Sequence, residues 1–267
     1  MTSKASPPGK APDLNSLFSG AVDDGVLSAQ SASLLSGHLG SVVVAGASGQ
    51  NLETIESSDV TLVTLLIDAS SSIAGSKLEG AVRKGQNTMV DALSASAEAD
   101  SILLAQWSFN HDRKVLHSYI PLSDASRLDS KNYKGSGATS LYDTWCDALA
   151  ANVAYAQLLR DGGTPCRSAV VVITDGADCG SSRKARDCAQ LSRDLLASEQ
   201  FVLGFVGVGK ATNFKRIARD MGVPDAGIAV ANAATPKALR DVFQMVSRSA
   251  IRVSQRRVQP GGGFFGP

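Results

Sequence analysis

The sequence predicts an α/β fold, a doubly wound and mostly parallel sheet with one antiparallel edge strand and a short N-terminal arm. Three observations carry this. From Asp59 onward, apolar strand-like runs alternate with longer amphipathic stretches, as a parallel sheet covered by helices on both faces requires. Two of those runs end in polar, turn-prone segments, the position where open α/β sheets bind ligands. The link from Phe109 to Val115 is short and contains Asn110-His111-Asp112, which suits a hairpin and so one antiparallel pairing.

Taken in order, residues 1–20 are rich in Ser, Pro, Lys and Gly and read as a flexible leader. Residues 21–58 form the arm: a short helical pattern at Val26, Leu27, Ala32, Leu34 and Leu35 stops at Gly37. The β-branched run 41–45 then predicts a strand or hairpin before Gly46-Ala47-Ser48-Gly49. The main domain spans 59–253. Its strands are expected at 60–67, 102–109, 115–120, 169–174, 201–208 and 227–230, and its helices at 77–96, 141–160, 183–198, 213–221 and 236–253. Thr235 is a candidate N-cap of the last helix and Pro236 its first residue, where a missing N–H does no harm. Residues 254–267 read as a flexible Gly/Phe tail with Phe264 and Phe265 exposed near its tip.

With 43% apolar and 19% charged residues, the 267-residue chain has the composition of a folded protein with a sizeable core. Lys and Arg total 26 against 25 Asp and Glu, a formal charge of +1, so nothing favours a general polyanion binder and nucleic acid is a disfavoured partner. No apolar run approaches the roughly 20 residues of a membrane span. The basic N-terminal residues precede no apolar stretch, so a cytoplasmic location is expected. Cys146, Cys166, Cys179 and Cys188 form no Cys-x-x-Cys pair and are expected as reduced thiols, with Cys179 and Cys188 the pair that could approach each other.

The strongest chemical signal is Asp68-Ala69-Ser70-Ser71-Ser72, directly after the first strand. A second strand ends in Asp175-Gly176, and Gly135-Ser136-Gly137-Ala138-Thr139-Ser140 presents Thr139 before a helix. If the first and fourth strands are neighbours, Asp68, Ser70, Ser72, Thr139 and Asp175 meet at the switch point. Such an oxygen-only donor set suits Mg²⁺, or Mn²⁺, better than zinc or copper. Ser71, Asp143 and Asp178 receive no role. Asp68 is expected on an exposed loop outside the core.

Together these residues resemble the metal-ion-dependent adhesion site of von Willebrand factor type A domains, whose pattern is Asp-x-Ser-x-Ser, a distant Thr and a later Asp-Gly. The resemblance covers about residues 59 to 250 and implies the Rossmann-like fold of that family, with strand order 3-2-1-4-5-6. It implies that Ser70, Ser72 and Thr139 hold the ion through hydroxyls while Asp68 and Asp175 act mainly through waters and ligand hydroxyls. It further implies a protein-binding adaptor or scaffold, not an enzyme, capturing an Asp or Glu of a partner protein. The segment Val242-Phe243-Gln244-Met245-Val246-Ser247 looks similar to the last helix of stand-alone bacterial cytoplasmic members, including those of tellurium-resistance and stress systems. An AAA-type ATPase, a kinase or a phosphatase is the kind of partner this suggests.

Other readings compete. Gly204-Phe205-Val206-Gly207-Val208-Gly209-Lys210 matches the G-x-x-x-x-G-K pattern of a nucleotide-binding enzyme. Ala211 stands where that motif needs a hydroxyl, and Gly204 falls within an expected strand. Phosphoryl transfer through Asp68 lacks a second Asp two residues on, and His38, His111 and His117 accompany no nucleophile elbow. Arg248, Arg252 and Arg256, spaced by four and joined by Arg257, would form a basic stripe for phosphate or an acidic partner if the last helix extends that far.

Overall fold

The computed structural model describes residues 13–210, 212–258 and 263–266. Six strands form one sheet: β1 (Val60–Asp68), β2 (Ile102–Phe109), β3 (Arg113–Pro121), β4 (Cys166–Thr174), β5 (Phe201–Val208) and β6 (Ile228–Ala231). Their order is β3-β2-β1-β4-β5-β6. Every pairing is parallel except that of β3 with β2, made through the predicted tight link at residues 110–112. β1 lies at the centre with all nine residues buried, and its neighbours on either side run the same way. Successive side chains serve opposite layers. Val63, Leu65 and Ile67 join one core, while Leu66 joins the other.

The helices are α1 (Leu14–Asp23), α2 (Ala29–Ser36), α3 (Ser41–Gly46), α4 (Ser71–Gly75), α5 (Glu79–Ser94), α6 (Leu141–Asp161), α7 (Ala185–Ala197), α8 (Phe214–Asp220) and α9 (Pro236–Ser254). One core contains α5 and α9, and the other contains α6, α7 and α8. Thr235 caps α9 by accepting from Ala238 N, with Pro236 in the first turn as the sequence predicts. Among the described residues no helix is long and apolar enough to cross a membrane.

Both chain ends depart from expectation. The stretch read as leader contains α1, whose Leu14, Leu17, Phe18 and Ala21 are buried against α6, with Asp13 as its N-cap. Residues 1–12 lie outside the described residues. The run 41–45 is helix α3, not a strand, because β propensity yields to packing. Gly46 brings α3 so close to the sheet that a side chain there would collide with Trp107. The strand-like contact falls later, where Gly49 bridges Tyr119 and Gln50 N donates to Tyr119 O at 2.8 Å, covering the β3 edge. This arm explains why 17 of the 21 residues of α6 are buried: the sheet takes one face and the arm the other.

At the C-terminus, residues 259–262 of the expected tail lie outside the described residues, but 263–266 are packed. Phe264 is fully buried against Gly204 of β5, and Phe265 N donates to Ala226 O at 2.9 Å. The arginine stripe is broken. Helix α9 ends at Ser254, and Arg256 turns out of it with φ +56 to pair with Asp59 at 2.5 Å. Gly204 and Gly207 both lie inside β5, where one admits Phe264 and the other Phe214 on the opposite face. The first five residues of the G-x-x-x-x-G-K segment are therefore strand, with Gly204 and Gly207 serving packing, and do not form a phosphate-cradling loop.

Candidate functional site

Asp68 is the last residue of β1, and only 1% of it is exposed. That corrects the expected exposed loop: the side chain sits in the floor of the site. Its Oδ1 accepts from Ser70 N at 2.7 Å and its Oδ2 from Thr174 Oγ1 at 2.5 Å. Ser70 caps the short helix α4 and is itself buried. Ser72, the second residue of α4, places its Oγ 3.0 Å from Ser70 Oγ and donates to Asp175 Oδ1 at 2.7 Å. Asp175 directly follows β4, the parallel neighbour of β1, so adjacent strand ends deliver the two carboxylates.

Thr139 arrives from the loop before α6. A Cβ at Gly176 would stand 3.4 Å from Thr139 Oγ1, so the absence of a side chain after Asp175 leaves the hydroxyl free to approach. The loops are stitched to one another through backbone groups: Ser136 N donates to Ala69 O (2.8 Å), Ser71 N to Gly137 O (3.0 Å), and Cys179 N and Gly180 N to Thr139 O (2.9 and 3.0 Å). Gly137 has φ +71, a conformation glycine adopts without strain. At the carboxyl ends of β1 and β4, hydrogen bonds thus link Ser70 to Asp68 and Ser72, and Ser72 to Asp175, while Thr139 lies beside Gly176.

Burial pushes the Asp68 carboxyl up to about 6 against the opposing hydrogen bonds from Thr174 and Ser70, and the Asp175 charge pushes the same way. Burial also raises Asp175, with the Ser72 hydrogen bond working against it. Two carboxylates are therefore gathered where their direct hydrogen-bond partners are hydroxyl and amide dipoles. Among the described residues no cluster holds three or more His, Cys, Asp or Glu side chains. The cleft's donors are two carboxylates and three hydroxyls.

Sequence reasoning missed the supports. Thr174 orients the Asp68 carboxylate, and Tyr133 donates its hydroxyl to Asp68 O at 2.5 Å. Asp143, left without a role, accepts from Arg183 N (2.9 Å) and Ser182 N (3.1 Å) and pairs with Arg113 (3.2 Å). Asp147, one turn on, pairs with Arg183 at 2.6 Å and Arg113 at 2.9 Å. Asp178 accepts from Tyr142 N at 3.2 Å. These contacts tie the loop after Asp175 to α6, the helix that follows Thr139. Carboxylates four apart on an otherwise apolar helix were the available signal. All four cysteines are free, as expected, but the pair that approaches is different: Cys188 lies 3.6 Å from Cys146, both buried, while exposed Cys179 accepts from Thr139 N at 3.3 Å.

No family model and no curated protein matches the sequence. Solved structures do. The pilus adhesin SpaC from Lactobacillus rhamnosus GG matches at 12% identity and TM-score 0.53, over 77% of this chain and 31% of that one. Proximal thread matrix protein 1 from the mussel byssus matches at 17% and 0.50, over 72% and 46%. A von Willebrand factor type A protein from Catenulispora acidiphila matches at 14% and 0.47, over 72% and 43%. The chain spans under half the length of each. At these identities the likeness to the adhesin and the matrix protein bears on fold alone. The observed strand order and single antiparallel edge make the architecture a doubly wound, mostly parallel α/β sheet, as the sequence predicts.

Proposed function

We propose that this protein is a divalent-metal-dependent protein-binding module, with Mg²⁺ as its ion, that captures an acidic side chain of a partner protein. The observation that carries the reading is the convergence of Asp68, Ser70, Ser72, Thr139 and Asp175 from three separate segments on one cleft, joined by direct hydrogen bonds between Ser70, Ser72 and Asp175. The donor set fits the ion: hard oxygens only, with neutral hydroxyls proposed as its direct donors and the two carboxylates acting through water, so that an outside anionic oxygen can complete the site. Bound there, Mg²⁺ would supply a positive charge for a partner's carboxylate.

The chain's own residues do the rest. Ser70, Ser72 and Thr139 present neutral hydroxyls, which leave the ion electron-poor. Asp68, fixed by Thr174 and Ser70 N, and Asp175, fixed by Ser72, provide charge and hydrogen-bond acceptors beneath it. The Arg113–Asp143–Asp147–Arg183 cluster holds the loop after Asp175 in place. In this reading the module is an adaptor or scaffold in the cytoplasm, and an AAA-type ATPase, a kinase or a phosphatase is the partner class that the sequence resemblance suggests.

Asp68→Asn is the informative variant, since it removes the charge while keeping an acceptor for Thr174. Affinity capture from cell lysate with Mg²⁺, with EDTA, and with Asp68→Asn in Mg²⁺ should retain proteins in the first lane only, with an unchanged circular dichroism spectrum for the variant. The same proteins in all three lanes would remove the reading.

A further inference from the structure

Building on that metal-dependent reading, we propose that a basic pocket beside the cleft, lined by Lys114, Lys131 and Lys134, takes a second carboxylate from the same acidic segment of the partner protein. The pocket has a volume of about 260 Å³ and shares Ala69 with the Asp68–Ser72 loop, so its wall is continuous with the proposed metal site. Lys114 comes from β3, where it pairs in register with Ser108 of β2. Lys131 and Lys134 come from the segment between β3 and α6.

That segment is fixed relative to the cleft. Asp129 Oδ1 accepts from Lys131 N at 2.7 Å and Asn132 N at 2.9 Å, which shapes the turn carrying Lys131. Tyr133 bonds to Asp68 O, Gly135 N donates to Glu79 Oε1 at 2.6 Å, and Ser136 N donates to Ala69 O. Lys134 therefore sits between residues tied directly to Asp68 and Ala69. Its position is set by the same contacts that set the metal loop.

All three lysines are exposed, and none is within ion-pair distance of a carboxylate among the described residues. The one carboxylate lining the pocket is Asp112, whose Oδ2 lies 3.3 Å from His111 Nε2. Asn110 and Asn132 add neutral polar groups. Three exposed lysines without a carboxylate partner among the described residues favour an acidic segment running from the cleft toward β3. Lysine ammonium groups are compact point charges, suited to a carboxylate approaching in varied orientations.

The test is a ¹H–¹⁵N NMR titration of the full chain in Mg²⁺ at low ionic strength. One capped glycine pentapeptide carries a single glutamate, and a second carries glutamates at its second and fourth positions. The diacid should bind about three- to tenfold more tightly, a range typical of exposed charge contacts and beyond the roughly twofold advantage of two equivalent carboxylates. Amides at Lys114, Lys131 and Lys134 should shift with it. Replacing these three lysines by Gln should bring the diacid down to the single-glutamate level and leave the latter's affinity unchanged. The same change at exposed Lys84, Lys215 and Lys237 should preserve the preference. Equal affinities, a preference that survives the pocket variant, or equal loss in the control variant would overturn the proposal. Mn²⁺ broadening reports on the metal separately: if amides at Asp68, Ser70, Thr139 and Asp175 stay sharp, the metal reading itself fails and the pocket proposal falls with it.

Discussion

The rim at the carboxyl ends of the strands and the two chain ends differ in how their residues become structured. On the rim, short polar segments shape themselves: Asp68 accepts from Ser70 N two residues on, and Thr174 Oγ1 accepts from Gly176 N. At the chain ends, order depends on contacts distant in sequence even where, as in α1, a local helical pattern exists. Phe264 is buried because β5 offers the bare backbone of Gly204, and α3 forms where Gly46 permits contact with Trp107. Local chemistry defines the site, whereas distant partners recruit the arm and the tail. Glycine serves both, as a turn-former at Gly137 and as a receiving surface at Gly46 and Gly204.

The largest effect should come from the tail. Phe264→Ala removes a fully buried aromatic ring and is expected to cost about 3–5 kcal/mol, read as a lower denaturant midpoint with unchanged slope. A midpoint within error of the parent would mean that the tail is the loose tether its glycines suggest, and the contrast with the rim would vanish. A smaller effect, with an informative sign, is expected at Gly46→Ala. Alanine gains about 1 kcal/mol over glycine in a helix, but the added methyl would meet Trp107 and Ala151, and overpacking costs about 1–3 kcal/mol. Net destabilisation with faster amide exchange in residues 41–50 is expected. Net stabilisation would show that α3 does not press on the sheet.

The same contrast explains what could be read from the sequence. Buried strands announce themselves: β2 and β5 fall at 102–109 and 201–208 as predicted, and β1 gains only Asp68. The five site residues were legible because each is polar at the end of an apolar run or before a helix. Asp143 and Asp147 were not, since their meaning depends on Arg113 and Arg183, 30 and 36 residues away respectively. Helix α1 did carry a signal, Leu14, Leu17, Phe18 and Ala21 at helical spacing, but the Ser/Pro-rich residues before it drew the boundary too late. The run 41–45 has strand composition and helical structure, an outcome decided by Trp107 and α6.

The smallest effect should be found where the arm meets α7. Ser28, the N-cap of α2, donates its backbone N–H to Asp194 Oδ2 at 2.9 Å across 166 residues of sequence. Burial, the largest single influence, would raise the Asp194 pKa, but the hydrogen bonds from Ser28, Ser31 and Gln190 together outweigh it and hold the carboxyl below its ordinary 3.8. A carboxylate depressed in the folded state stabilises it fully above the unfolded value and loses that contribution as the pH falls through the folded one. The arm should therefore be held firmly at neutral pH and loosen only in acid, below about pH 4. Asp194→Asn should cost about 1 kcal/mol at pH 7 and raise amide exchange in α2 selectively. The difference between parent and variant should shrink as both are taken into acid. A difference that stays constant down to acid pH would show that the contact does not depend on the charge of Asp194, leaving α2 held by Leu35 and its apolar neighbours alone.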